Sequence, residues 1–448
     1  VQLPSVPHQI RASARRLGPK PAIFRATSSG PGEWTWLDIR NAVWNLARLL
    51  LSADVANEEC VPILAGDDVD GLFAEAAVHI AGGTACILPT DAPPADLAYL
   101  LGRLLPVRLL ASPDRVDAGM QIIRQAGLDI PILSLDFIDG ALAAPCPADD
   151  DPEIDKALDR IGPERAATTL YSAGCLGPRR AAIIPMEALV LKGRAVSAFL
   201  GGDSSDVWMP LGRLCHPFIR ATSWYAALAS EGTMAICADA PSDITAMWAL
   251  RPTIASCLAQ DLESLASRIR AELERLDGFS GRVTRWAVSV EEQSLSEITP
   301  GRLLALRRSI AEPIRSAKAR DVVGGNLRAL TAGWSPVAQV PAGLLRAVGV
   351  EVFGCYGLAE TAGVATLGMA ETAHPQRLGP ALPGLEFRVD QDSELQIRGP
   401  GLMRGYYSPG DDRPPYQGEW LATDDLADVD TEGRFLLAGK RKEIRDTP

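Results

Sequence analysis

No apolar run in this sequence approaches the ~20 residues that a bilayer-crossing helix requires, so no integral membrane segment is expected. The opening Val1-Gln2-Leu3-Pro4 shows no signal-peptide pattern, which makes the cytoplasm the expected compartment. No CxxC pair occurs among the eight cysteines, so neither a zinc site nor a thioredoxin-type centre is indicated. Cys86, Cys237, Cys257 and Cys355 lie in apolar runs and read as small buried hydrophobes. There is also no dense basic stripe: net charge is −12, and nucleic acid is not an expected partner. The nearest candidate, Lys440-Arg441-Lys442, reads equally as a solvated loop. Glycine and proline form no low-complexity block, and no internal repeat stands out.

What is present is an ordinary globular balance, 47% apolar and 22% charged, in a length that suits two or three packed subdomains. Short apolar runs alternate with amphipathic stretches. Val61–Leu64, Ala85–Leu88 and Val107–Leu110 read as buried strands, with helical spacing through Leu72, Phe73, Ala76 and Ile80 and again over 94–104. After an acidic, proline-containing linker at 145–163 the alternation resumes. Candidate strands are Val207–Met209, Met234–Cys237, Thr253–Ala255, Trp286–Val288, Leu327–Leu330 and Glu351–Phe353. Such βαβ order predicts an α/β fold of mostly parallel sheets flanked by helices. Leu385–Val389 and Glu394–Arg398 instead alternate with period two, as half-exposed antiparallel strands do. The expected division is an α/β subdomain over 1–163, a second over 164–375, and a small β-rich subdomain over 376–438.

Three segments can carry chemistry. Leu170–Arg180 holds Gly174 and Gly177, which permit close backbone approach to a phosphate, and Arg179 and Arg180, which supply positive charge. A plain surface turn accounts for the same residues. Gly354–Thr361 follows a candidate strand, where open α/β sheets bind ligands. There Glu360 can hold a hard divalent cation and Tyr356 can stack on a flat base; an exposed Glu and a core Tyr are the alternative. Trp420–Leu426 offers Asp425, a carboxylate able to accept ribose hydroxyls, or simply a solvated acidic loop.

In order and spacing these segments resemble the AMP-forming acyl-CoA synthetase and adenylation-domain superfamily across nearly the whole chain. Lys20–Phe24 and Trp34–Asp38 resemble its N-terminal start. Leu170–Ala182 sits where the family has a Ser/Thr/Gly-rich phosphate loop. Gly324–Arg328 with Gly333-Trp334-Ser335-Pro336 is similar to the strand and turn that contact adenine. Tyr356-Gly357-Leu358-Ala359-Glu360 is similar to Tyr-Gly-x-Thr-Glu, Glu394–Tyr407 to the segment that ends in Gly-Tyr, Thr423-Asp424-Asp425 to Thr-Gly-Asp, and Gly439–Ile444 to the hinge. Met209–Arg213 and the Trp224-Tyr225 helix look most like the long-chain fatty acyl branch.

The resemblance implies an acyl-CoA synthetase-like large domain and a two-step reaction. A carboxylic or fatty acid and ATP give acyl-AMP and pyrophosphate, and CoA or a carrier-protein pantetheine then takes the acyl group. Mg2+, ATP and AMP are the implied cofactors, a small-molecule carboxylate the substrate, and an acyl carrier protein a possible partner. By the same resemblance Glu360 binds magnesium and, with Arg180, forms the catalytic pair. Gly174, Gly177, Gly333, Trp334, Ser335, Pro336, Tyr356, Gly357, Asp425 and Lys440 bind the nucleotide. Arg213, His216 and Trp224 line the acyl gate. Residues 439–448 read as a hinge, and the family's small C-terminal lid domain is absent from the 448 residues.

Departures from the family pattern fall on the chemistry. Ala173, Cys175 and Leu176 stand at hydroxyl positions of the phosphate loop, Arg180 replaces a lysine, and Ala359 replaces a phosphate-contacting threonine. Arg213 stands where a gating histidine is expected, with His216 three residues later. Asp424 replaces glycine and Lys440 an arginine. Each lost phosphate contact costs ~1–3 kcal/mol where partners are left unpaired. A catalytically degenerate homologue that binds nucleotide, acyl group or protein without turnover is therefore the alternative to an acyl ligase.

Overall fold

The computed structural model describes residues 5–27, 30–53, 55, 57–65, 69–135, 151–171, 180–237, 244–296, 301–370, 376–407 and 416–440. The helix Trp36–Ser52 shows how the N-terminal motif acts locally. Thr35 caps it, with the Asp38 N–H donating to Thr35 Oγ1 at 3.2 Å and the Thr35 N–H donating to Asp38 Oδ2 at 2.9 Å. Trp36, Ile39, Val43, Leu46, Ala47 and Leu50 then form one buried face.

Three sheets result. A seven-stranded sheet runs in the order Gly405–Tyr406, Ala181–Pro185, Ala166–Tyr171, Thr84–Ile87, Cys60–Leu64, Leu109–Ala111, Ile132–Ser134. An eight-stranded sheet runs Thr366–Met369, Glu351–Tyr356, Ala329–Gly333, Ile254–Leu258, Val207–Pro210, Thr233–Cys237, Pro21–Thr27, Gly30–Thr35. Both are parallel inside, with antiparallel strands only toward their edges. The third is a five-stranded antiparallel sheet of Glu386–Val389, Glu394–Arg398, Trp420–Val429, Tyr416–Gln417 and Phe435–Lys440. The expected mixture of parallel sheets, covering helices and a β-rich C-terminal part is thus observed. The large sheets interleave across residue 163: Pro21–Thr35 joins strands from beyond residue 200, while Ala166–Pro185 joins strands from before residue 112.

Trp286–Val288, expected as a strand, lies within the helix Gly278–Ser296. A three-residue apolar run has no period of its own; here Ala287 and Val290 bury together at helical spacing. The helix Val69–Ala81 is buried on every side. It carries Glu75, which accepts from Arg220 Nη1 at 2.9 Å and from the Tyr225 hydroxyl at 2.9 Å to Oε2. Glu75 and Arg220 are both essentially inaccessible, so the pair locks this helix to the helices Pro217–Thr222 and Trp224–Ser230.

Candidate nucleotide site

The parallel strands Ala329–Gly333 and Glu351–Tyr356 lie side by side with Gly333 opposite Cys355. Their carboxyl ends therefore release the turn Gly333–Pro336 and the segment from Tyr356 next to each other. Neither glycine tolerates a side chain. A Cβ on Gly333 would sit 2.8 Å from a Phe218 ring carbon, and one on Gly357 would sit 2.2 Å from the Gly363 carbonyl oxygen. Trp334, at φ 75°, turns its half-buried indole edge-on to His216, ring centroids 4.4 Å apart. Ser335 and Pro336 are exposed.

Around these strand ends two polar chains form. In the first, Asp425 accepts from the Tyr356 hydroxyl at 2.7 Å and pairs with Lys440 Nζ at 2.5 Å. Asp425 lies opposite Lys440 in the antiparallel register, which brings the cation to the carboxylate. In the second, Glu360 accepts from the Tyr406 hydroxyl at 2.8 Å, and the Arg180 guanidinium sits 4.7 Å from the Tyr406 ring centroid. Arg180 Nη2 also pairs with Asp424 Oδ2 at 3.0 Å. Tyr406 lies opposite Ala182, and Arg180, just ahead of the strand Ala181–Pro185, sits beside the phenol. Asp424 and Asp425 are neighbours in one strand and join the two chains. All three sheets thus supply residues: Arg180 and Tyr406 from the first, Tyr356 from the second, Asp424, Asp425 and Lys440 from the third.

Burial, and then the charge of Asp425, raises the Tyr356 phenol well above its ordinary pKa. Burial, and then Glu360, does the same for Tyr406. Both hydroxyls are therefore neutral donors across the physiological range. His216 is pushed down to about 4 by burial, then by Arg220. It is neutral and uses Nδ1 to accept the Phe218 N–H at 3.2 Å, capping the helix Pro217–Thr222.

The structure brings Arg180, Glu360, Tyr356, Asp425 and Lys440 into one connected cluster beside Gly333, Trp334 and Gly357. Gly363, two residues beyond Thr361, abuts the Pro217 carbonyl, which sets His216 against the same loop. Arg213 instead pairs with Asp91 at 3.1 Å and reaches Thr90 Oγ1 at 3.4 Å. Trp224 is fully buried in the main core, and its Nε1 has no hydrogen-bond partner among the described residues. Gly174 and Gly177, and the hinge beyond Lys440, lie outside the described residues.

Sequence reasoning missed two contributors. Tyr406 was visible only as the end of the Gly405-Tyr406 motif, with no sign of its bond to Glu360. Glu394 is buried and accepts the Asp424 N–H at 2.9 Å, holding that residue at φ 60°. Among the described residues no group of three or more His, Cys, Asp or Glu side chains gathers to hold a metal. No described helix is long and apolar enough to cross a membrane.

The sequence and the fold are similar to those of known proteins. The family model for AMP-binding enzymes matches residues 10–407. The long-chain-fatty-acid–CoA ligase FadD15 of Mycobacterium bovis is 25% identical over 304 residues, covering 66% of this chain and 50% of that protein. The peroxisomal acyl-CoA ligase 891 of Penicillium roqueforti is 23% identical over 399 residues, 80% of this chain and 53% of that protein. The chain spans about half the length of the curated relatives it matches. Among solved structures, the inhibitor-bound N-terminal domain of FACL13 from Mycobacterium tuberculosis superposes with a TM-score of 0.73 at 16% identity, covering 98% of this chain and 100% of that one. The O-succinylbenzoate coenzyme A synthetase MenE from Bacillus subtilis, in complex with AMP, gives 0.72 at 16%, covering 99% and 79%.

Proposed function

Since the chain belongs to the AMP-binding enzyme family, we propose that it is the nucleotide-binding part of an adenylate-forming acyl ligase acting on a fatty or other carboxylic acid. In the reaction, a carboxylate oxygen attacks the α-phosphorus of ATP and the bond to the bridging oxygen of pyrophosphate breaks. A thiol of CoA or of a carrier-bound pantetheine then displaces AMP from the acyl carbon. The observation that carries this reading is the Lys440–Asp425–Tyr356 chain at adjoining strand ends. Asp425 offers the ribose hydroxyls an acceptor, Tyr356 offers the base a flat face, and Gly333–Pro336 walls the base from the neighbouring strand. Lys440 and the Tyr356 hydroxyl hold the carboxylate in place.

Arg180 supplies positive charge toward the phosphates. Glu360 would be the residue that holds a magnesium ion accompanying the triphosphate. It presents one carboxylate oriented by Tyr406, and such an ion needs no more from the protein. When bound, the ion offsets the phosphate charge. Long-chain acids are the favoured substrate class because FadD15 is named for them.

Pyrophosphate exchange into ATP, measured with a panel of short, medium and long-chain acids, tests the reading. Exchange above the acid-free background with at least one acid is expected. Tight AMP binding with no exchange for any acid would instead mark a chain that binds nucleotide without turnover. Absence of both would overturn the nucleotide assignment itself.

A further inference from the structure

The segment Met403–Tyr406 grips Glu360 at two points. The Met403 N–H donates to the Glu360 carbonyl at 2.9 Å, and the Tyr406 hydroxyl donates to the Glu360 carboxylate at 2.8 Å. Glu360 is buried, and among the described residues that hydroxyl is the one hydrogen-bond donor to its carboxylate. The segment is itself pinned from several sides. The Arg404 N–H donates to the Ile183 carbonyl and the Tyr407 N–H to that of Ala181, both at 2.8 Å, which ties it to the strand Ala181–Pro185. The Tyr416 hydroxyl donates to the Met403 carbonyl at 2.6 Å, and Arg404 Nη1 donates to Glu58 Oε1 at 2.6 Å. On this fixed backbone the Tyr406 ring lies under the Arg180 guanidinium, 4.7 Å from its centroid. One side chain thus touches an anion with its hydroxyl and a cation with its face.

We propose that Tyr406 is a positioning residue that sets Glu360 and Arg180 relative to one another and so determines how the site receives a triphosphate. The inference rests on the nucleotide reading above and adds the residue that organises its polyphosphate end. The two parts of the phenol act differently. The hydroxyl donates to one carboxylate oxygen, which holds the buried anion in one orientation. The ring holds Arg180 through its π-face and takes none of the N–H donors that phosphate oxygens accept. Asp424 also pairs with Arg180, at 3.0 Å, but through those same donors. A phosphate that displaces Asp424 therefore finds the guanidinium still seated on the ring. A tyrosine that merely filled space would need neither contact, and phenylalanine would replace it without effect.

Calorimetric titrations with AMP, with ATP in a chelator and with ATP plus magnesium compare the wild type, Tyr406→Phe and Tyr406→Leu. The phenylalanine variant keeps the ring and loses the hydroxyl. It is expected to bind AMP and metal-free ATP within about twofold of the wild type, and ATP with magnesium about tenfold more weakly, as befits one lost hydrogen bond to a charged group. The leucine variant loses the ring as well, and its binding of metal-free ATP is expected to weaken about two- to fivefold. Thermal unfolding verifies the fold of each variant; should the leucine variant not fold, the phenylalanine comparison decides alone. Equal affinity for ATP with magnesium in the wild type and a folded phenylalanine variant overturns the proposal. So does an equal weakening of all three ligand states, which marks a packing role. Either result leaves the nucleotide reading standing, whereas a wild type that binds neither AMP nor ATP overturns both.

Discussion

Asp424 sits at φ 60°, a left-handed conformation that glycine adopts without strain and aspartate tolerates at modest cost. Its carboxylate occupies Arg180, the cation that faces the proposed phosphate position. The pair is roughly a quarter exposed on each side, so it is worth no more than about 1 kcal/mol. That is still enough to compete with a ligand for the guanidinium. Asp424→Gly keeps the backbone and the bond to Glu394 while releasing Arg180. ATP is expected to bind about three- to fivefold tighter to this variant in a competition titration; unchanged or weaker binding would show that the pair does not compete.

His216 gives a pH dependence of defined sign. Its folded pKa of about 4 lies below the ordinary 6.5, so between those values the unfolded chain binds the extra proton and the native one does not. Stability therefore falls as pH drops from about 6.5 toward 4, by up to ~1.4 kcal/mol per unit from this group. Protonation would also remove the acceptor that caps Pro217–Thr222. His216→Asn keeps a capping acceptor and does not titrate, so its denaturation midpoint should decline less steeply over that window. Some slope remains, since burial also depresses His8 and His79. An identical slope in both proteins would remove His216 from the account.

At the scale of elements, the site depends on loops that glycine alone allows. A methyl at position 357 collides with the Gly363 carbonyl and with Val364, both backbone, which cannot swing aside as a side chain can. Gly357→Ala should therefore move the whole segment between the two positions, shifting Glu360 and Tyr356 together. The expected result is a loss of about 1–3 kcal/mol in chemical denaturation, with weaker nucleotide binding than the stability loss alone explains. Full binding at reduced stability would place the segment outside the site.

Elements of this kind were legible in the sequence where one pattern sufficed. The helix 94–104 and the strand Glu394–Arg398 were readable from spacing alone, and each is found with those bounds. Two-residue strands such as Gly405–Tyr406 and Tyr416–Gln417 have no period to read and are defined by pairing with distant strands. The site divides in the same way. Tyr356, Glu360 and Asp425 stand out because they follow strands or sit in recognisable motifs. The bonds that unite them do not, since Arg180 and Asp424 are separated by 244 residues and Tyr406 reaches Glu360 across 46. Such contacts arise from sheet order, which local patterns do not specify.

For the molecule as a whole, the buried Glu75–Arg220–Tyr225 group ties the helix behind the seven-stranded sheet to the helices beneath the eight-stranded one. A buried charge that loses its partner is costly, about 3–5 kcal/mol. Arg220→Met should lower thermal stability by that order, and Arg220→Met with Glu75→Leu should recover part of it; equal losses in both would refute a charge-pair origin. Coherence between the layers matters because the proposed site draws one residue set from each sheet. Its central claim is that Asp425 is the acceptor for a nucleotide's ribose. Calorimetric titration of AMP into the wild type and Asp425→Asn tests this most directly. The account predicts saturable one-site binding that weakens at least tenfold in the variant, whereas no AMP binding by the wild type, or equal affinity in a folded variant, would contradict it.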